Sequence, residues 1–471
     1  MEHHADAYFL SYGDAYEVAR HQHRVSLGHP YITGLQICYY AGDPVDSDLR
    51  NLVNVPIESF YSFFLTTRLR LPTRLVIPPS FSRDQAAEME AIISSVCSRV
   101  MESRLQQFKE DEATILALPE PMDRPERPRF YIPANRLTTV MQYASMGVAR
   151  ALEARGAEVM YVCETDDLEA LDLSHHTRAL LEFSPDAVFT INSANEYPTA
   201  PHMHRFVWWQ DLMAQLQRGD PIEVRDRDVH FSAVARFDHY LRECGVPRVE
   251  RQMFCVDPTQ FKPGFAVARE SKIVFVGSAY EGRVTSQADL NATVMIREAL
   301  EVGQDVTDDL LVQIAESLGL NFQHVFQNLF HAVVRQTVVE WMCMESPIPV
   351  EVYGFGWESV DLVKEFYKGD VAHDQIPKLY QGASHALVVH PFELNSQRLA
   401  EVSAAGSRPL VFDCRHSSES PHWENSVLYF KTRQQLADVI RSTVPLNVTE
   451  IASYFSYDRF AARLIETVQA A

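Results

Sequence analysis

From residue 130 onward, short apolar runs alternate with stretches whose apolar positions recur at helical spacing. FYIPA (130 to 134) leads into a helical stretch from Thr138 to Arg155 that Gly156 closes. AEVMYVCE (157 to 164), a helical stretch near 168 to 182, DAVFTIN (186 to 192), RFVWWQD (205 to 211) and HFSAV (230 to 234) follow. Apolar strands separated by amphipathic helices predict a parallel sheet covered on both faces. The pattern restarts at KIVFVG (272 to 277) and continues through VEVYGFG (350 to 356), HALVVHP (385 to 391), a helix from Gln397 to Ala405, PLVFD (409 to 413) and VLYF (427 to 430). Between 288 and 346 the period is helical, with Leu311, Ile314, Ala315 and Leu318 on one face, over a length that exceeds a normal crossover and predicts an inserted helical pair. The expectation is an α/β chain of two Rossmann-like halves facing a cleft, 130–265 and 266–455, with a last helix over 456–471.

Residues 1–117 read differently. Ser82-Arg-Asp-Gln85 has the form of a capping box, and Met89, Ile92, Ile93, Val96 and Val100 follow at helical spacing, which predicts one long amphipathic helix. LPEPMDRPERPR (118 to 129) places four prolines among charges and can continue neither a helix nor a central strand. The reading is a mainly helical N-terminal unit, a Pro-rich linker over 118–129, and then the α/β region.

Most of the strands after the linker end in a polar or turn residue. In open sheets of this kind ligands gather at the carboxyl ends of strands, so topology alone makes Asn135, Arg136, Asn192 and Asp211 candidates. Trp208 and Trp209 precede Asp211, and read either as core or as a platform for a sugar. Thr138 or Thr139 reads as a helix cap.

Charge and composition then narrow the function. The chain has 471 residues with 42 Lys+Arg against 63 Asp+Glu, a net charge of −21, and no long basic run, which argues against a nucleic-acid or membrane-surface partner. The 7 cysteines are scattered without a C-x-x-C pair, which fits a reducing compartment. The N-terminus lacks the basic and apolar segments of a signal peptide, and no apolar stretch reaches membrane-spanning length, so the expectation is a cytoplasmic protein. Two D-x-D triplets, Asp46-Ser-Asp48 and Asp226-Arg-Asp228, are at the frequency expected by chance, and the paired histidines have no complementary ligands nearby; no metal site is assigned. Walker, G-x-G-x-x-G and G-x-S-x-G motifs are absent, which disfavours NTPase, dehydrogenase and hydrolase readings.

The most informative segment is His390-Pro-Phe-Glu393-Leu-Asn395-Ser396-Gln397-Arg398-Leu-Ala-Glu401, followed by Val-Ser-Ala-Ala-Gly406. Glu393 and Glu401 flank a strand-to-helix turn whose helix N-terminus offers free N–H groups to a phosphate. This segment resembles the C-terminal signature of GT-B glycosyltransferases, in particular the CgeB-like group related to glycosyltransferase family 4. VGSAYEGR (276 to 283), YGFGWE (353 to 358), IPKLYQGASHALVVHP (376 to 391), ENSVLYFKTRQQLADVI (424 to 440), SYDRFAARLIETV (456 to 468) and the VDPTQFKP phrase before the donor half extend the resemblance over 130–471.

The resemblance implies transfer of a sugar from a nucleotide-sugar donor to an unidentified acceptor, a glycan, protein or small molecule. It needs neither cofactor nor metal, and relatives with this E-x7-E spacing generally retain anomeric configuration. Glu393 then faces the donor sugar and Glu401 takes the ribose hydroxyls. Gly277, Arg283, Asn395, Ser396 and Arg398 complete the donor side, with Arg398 matching the diphosphate bidentately. Asp211 is the candidate base, and Asn135, Arg136 and Trp209 line the acceptor side. The family's Arg and Lys pair on the first donor-half loops is only partly visible: Arg283 stands for one member and the Lys has no counterpart. Surface carboxylates paired with Arg398, an inactive nucleotide-binding or docking protein, and a nucleotide-sugar epimerase or phosphorylase remain alternative readings. Oligomerisation through the N-terminal unit is a further expectation.

Overall fold

The computed structural model describes residues 6–26, 36–120, 126–136, 139–166, 168–264, 269–280 and 284–470. Among the described residues fifteen strands form three sheets. β1 (Ala7–Phe9), β2 (Cys38–Tyr40), β3 (Leu52–Asn54) and β4 (Arg74–Val76) make a four-stranded sheet in the order β3-β2-β1-β4. β5 (Arg129–Pro133), β6 (Glu158–Val162), β7 (Ala187–Ile191), β8 (His204–Trp209), β9 (Asp228–Ser232) and β10 (Val249–Arg251) make a second, ordered β10-β9-β8-β7-β5-β6. β11 (Glu270–Val276), β12 (Val350–Tyr353), β13 (Ala383–Val388), β14 (Arg408–Phe412) and β15 (Leu428–Phe430) make the third, ordered β12-β11-β13-β14-β15. Within the third sheet every neighbouring pair is parallel, as are the pairs from β6 through β9 in the second.

The chain divides into two compact units. Unit 1 holds residues 1–232, 237–250 and 460–471, and unit 2 holds 233–236 and 251–459. Both larger sheets run through apolar, buried strands, as parallel sheets covered by helices require: β7 and β8 are buried along their whole length, and β13 and β14 almost so.

The N-terminal segment holds, beside its helices, a sheet that the expectation of a mainly helical unit did not include. Its helices pack on the small parallel sheet, whose centre, Tyr8 and Tyr39 with Phe60 and Phe64, is fully buried. Each strand there is three residues long, and β1 and β2 are buried on both faces, so no alternation of polar and apolar positions marks them. The long helix is Arg83–Leu116, opened by the Ser82/Gln85 capping box. Its first half covers the small sheet through Ile93 and Val100, and its end packs Ile115 against Tyr131, Leu180 and Val188 of the second sheet's layer. Buried Asp111 accepts from Thr177 Oγ1 at 3.1 Å, and Leu69 bridges Glu169, so the segment before the linker and the α/β region after it belong to one unit.

In unit 2 the stretch between β11 and β12 forms helices Gln287–Glu301, Asp308–Leu318 and His331–Glu345, the last preceded by a π-helical turn over Val325–Phe330. The final helix, Tyr457–Ala470, enters unit 1 at Phe460, whose ring packs between Phe189, Trp208 and Phe231. Among the described residues no helix is long and apolar enough to cross a membrane.

Candidate functional site

In the third sheet β12 lies on one side of β11 and β13 on the other, so the chain reverses direction across the sheet between β11 and β13. Crossovers leave a crevice outside the carboxyl ends at such a point, and ligands of open α/β sheets bind there. The loops that follow these two strands carry Gly277 to Tyr280 and Val389 to Ser396.

The turn after β13 is locked from several sides. Asn395 accepts from Trp423 Nε1 at 2.8 Å and donates to Glu419 O at 3.0 Å. Ser396 caps the helix Gln397–Ala404 by accepting from Leu399 N–H at 3.3 Å. Glu393, 4% exposed, takes two hydrogen bonds on Oε1, from Asn395 N–H and Ser418 Oγ, each 2.8 Å. Burial raises its pKa, against the pull of these two donors and of Arg251. His390 Nδ1 accepts from Glu393 N–H at 3.1 Å, which puts the neutral ring's proton on Nε2. Enclosure, with His331 and Arg335 nearby, holds His390 well below the usual histidine pKa, so it stays neutral.

Glu401 is buried one turn into the helix, where Gln397 Nε2 (2.9 Å) and Arg398 Nη1 (2.6 Å) hold its two oxygens. The structure therefore brings Arg398 and Glu401 together as an ion pair while leaving the guanidinium side chain 31% exposed. A ribose that binds Glu401 must displace Gln397 or share the carboxylate with it.

The loop after β11 meets the loop after β12. Trp357 Nε1 donates to Gly277 O at 2.6 Å. A Cβ on Gly354, whose φ is +116°, would stand 2.5 Å from that same oxygen. Gly354→Ala is expected to cost more than about 2 kcal/mol, through the clash and the strained φ together, read as a lower unfolding midpoint; an unchanged midpoint would show that the two loops part easily. Gly277 itself carries a lesser constraint: its Cβ would lie 3.1 Å from Phe275 Cζ and 3.7 Å from Arg335 Nη1.

Arg335 is the side chain that sequence reading missed. It projects from the inserted helix His331–Glu345, donates to Ser278 O at 3.2 Å and lies 4.0 Å over the ring of Tyr280, which has a left-handed φ of 57°. Ser418 and Trp423, which hold Glu393 and Asn395, were missed as well; they belong to loops before and after no recognisable motif. Beside Tyr280 a cavity of about 750 Å³ opens between the insert helices, lined by Leu290, Val294, Leu329, Val333 and Val360. Arg283 lies outside the described residues.

The second sheet has the same reversal, between β5 and β7. Asn135 and Arg136 follow β5, Asn192 follows β7, and Asp211 lies just beyond β8. Asn192, with φ 59°, organises this edge: its Oδ1 accepts from Gln210 N–H (2.7 Å) and Asp211 N–H (3.1 Å), and its Nδ2 donates to Asp211 Oδ2 (2.8 Å). Asp211 as a residue is open to solvent, yet protein atoms crowd its carboxylate enough for desolvation to raise its pKa, with the Asn192 bond opposing. Arg136 is tied to the β6 side, its N–H to Glu164 Oε2 at 3.0 Å. Trp209 corrects the expectation of an acceptor platform: it is 0% exposed, its ring lies edge to edge with that of His230, to whose Nδ1 it donates at 3.1 Å, and Trp208 is equally buried. Apolar neighbours on both sides of a central strand leave a large ring no route to the surface.

Two of the D-x-D and histidine candidates have structural roles, while His3 and His4 lie outside the described residues. Asp228 pairs with Arg205 and Arg225, and His176 bonds Tyr131 Oη at 2.7 Å. No group of three or more metal-ligating side chains occurs among the described residues.

No protein-family model matches the chain, and no curated protein matches it. Solved structures with partial similarity include sucrose-phosphate synthase from Thermosynechococcus elongatus, with 11% identity and a TM-score of 0.45 over 73% of this chain and 99% of that one. Another is a glycosyltransferase from Rickettsia africae, with 9% identity and a TM-score of 0.41 over 74% and 99%. A third is HepE from Anabaena in complex with UDP-glucose, with 10% identity and a TM-score of 0.43 over 73% and 100%.

Proposed function

We propose that the chain is a GT-B glycosyltransferase that transfers a sugar from a nucleotide-sugar donor, with the donor seated at the carboxyl edge of the third sheet. The observation that supports this most is positional: Glu393, Asn395, Ser396, Arg398 and Glu401 stand beside the β11/β13 reversal, on a turn braced by Trp423 and Ser418. A departing nucleoside diphosphate carries negative charge into the transition state. The guanidinium of Arg398 and the N–H groups at the start of the helix Gln397–Ala404 are fixed where such charge would develop, so no reorganisation is needed at the moment of reaction. Glu393 presents a carboxyl group to the sugar, and Glu401 takes the ribose hydroxyls. In unit 1 the Asn192-bound Asp211 is the acceptor-side base, with Asn135 and Arg136 beside it on the same sheet edge. The reading carries retention of anomeric configuration with it, which NMR of the product's anomeric proton decides.

A thermal-shift and turnover screen with UDP-, GDP-, dTDP- and CMP-sugars tests the proposal. One nucleotide is expected to raise the unfolding midpoint by several degrees, since a ligand that binds only the folded state stabilises it in proportion to the logarithm of its concentration over Kd. Glu401→Ala is expected to lose most of that rise. If no member of the panel stabilises the wild type, or Glu401→Ala responds as the wild type does, the donor assignment is wrong.

A further inference from the structure

We infer that Arg335, carried by the inserted helices, is a second diphosphate-binding cation of the donor site. The inference rests on the donor reading above and adds a residue that no motif in the chain marks. Three observations carry it. First, the guanidinium lies against the backbone of the loop after β11, bonded to Ser278 O and 3.7 Å from where a Cβ of Gly277 would stand, so it sits at the carboxyl edge beside the sheet's reversal. Second, it is oriented. A cation–π contact with Tyr280, 4.0 Å from the guanidinium carbon to the ring centroid, fixes where the fork lies. Third, His331, one turn before Arg335 on the same helix, packs its ring 6.0 Å from that of His390, the residue that opens the turn bearing Glu393, so this face of the helix lies against the loop after β13 as well as the loop after β11.

A diphosphate has two charged groups, and a single guanidinium shared with Glu401 balances little of that. Two guanidinium groups, one at the loop after β11 and one on the helix after β13, match it in charge. The loop after β11 holds no Lys, and Arg335 brings a guanidinium from the insert to that loop's backbone. The insert between β11 and β12 thereby becomes part of the donor site.

The test compares nucleoside diphosphates with their nucleosides. UDP, GDP and dTDP, and uridine, guanosine and thymidine, are titrated by calorimetry into the wild type, Arg335→Gln and Arg335→Lys. The wild type should prefer one diphosphate over its nucleoside; Arg335→Gln should reduce that preference by about tenfold or more with nucleoside affinity unchanged, as loss of one charge-assisted bidentate contact implies. Arg335→Lys should recover part of it. An Arg335→Gln protein that keeps the full preference, or that loses nucleoside and diphosphate affinity equally, overturns the inference and leaves the donor reading intact. A wild type that binds no diphosphate overturns the donor reading itself. Should Arg335→Gln not fold, phenylglyoxal labelling of the wild type decides: UDP, GDP or dTDP should protect Arg335 where the matching nucleoside does not, and equal labelling refutes the assignment.

Discussion

Glu393→Gln is expected to lower kcat by about 100-fold or more while leaving the protein at least as stable as the wild type near pH 7. The amide keeps an oxygen where Oε1 accepts from Asn395 N–H and Ser418 Oγ, so the turn keeps its shape. It removes only the negative charge. A positively polarised anomeric carbon loses a carboxylate held in a largely dry setting, where electrostatic interactions are least screened. The stability side has a definite sign. Burial puts the folded pKa of Glu393 above its unfolded value, so the folded protein binds the extra proton in the interval between the two. The contribution of this carboxyl to stability therefore falls as the pH rises through that interval and is not regained above it. Unfolding midpoints of variant and wild type should coincide in acid and diverge in favour of the variant toward neutral pH, while initial rates with the donor identified by the screen collapse. A variant with kcat within threefold of the wild type would remove Glu393 from the site, and one less stable at every pH would make it a structural residue.

How much of this was legible in the sequence depends on whether a residue acts through its own element or through another. β5 to β9 and β11 to β15 were readable because each buried strand is an apolar run bounded by helices, and their predicted starts and ends fall within three residues of those observed. β1 to β4 were not, since three residues carry no period. Asn192 was readable as the residue ending β7. That it would hold Asp211 was not, because the bond spans two strands and depends on its left-handed backbone. The segment from Glu393 to Glu401 was readable as a turn and helix. The partners that shape it come from elsewhere: Ser418 and Trp423 reach Glu393 and Asn395 from the region between β14 and β15, 25 and 28 positions away in the chain. Trp209 shows the converse error. An aromatic next to a polar strand end reads as core or as platform alike, and it is the strand's central place in the second sheet that decides for core.

The same distinction separates the two acids of Asp226-Arg-Asp228, and with them the metal reading from a structural one. Asp226 is exposed, whereas the Asp228 carboxylate is fully buried between two guanidinium groups. It binds Arg205 Nη2, and accepts from Arg225 Nη2 at 2.9 Å and Arg225 N–H at 2.8 Å. Arg205 is 6% exposed, and burial lowers its pKa against the pull of Asp228. Arg225 in turn donates to Thr199 O (2.7 Å) and Ala200 O (3.1 Å), so one carboxylate fixes the segment before β8 to the start of β9. Asp228→Ala leaves a buried guanidinium with its counter-charge removed and is expected to destabilise unit 1 by about 3–5 kcal/mol, because the cost of the orphaned charge exceeds what the pair contributes when intact. Asp226→Ala is expected to stay within about 0.5 kcal/mol of the wild type. Urea unfolding measures both. A chelating D-x-D would reverse the ranking of consequences: both variants would keep their stability, and both would lose Mn or Mg binding together. Equal, small stability losses from the two substitutions would therefore refute the ion-pair account and return the triplet to the list of metal candidates.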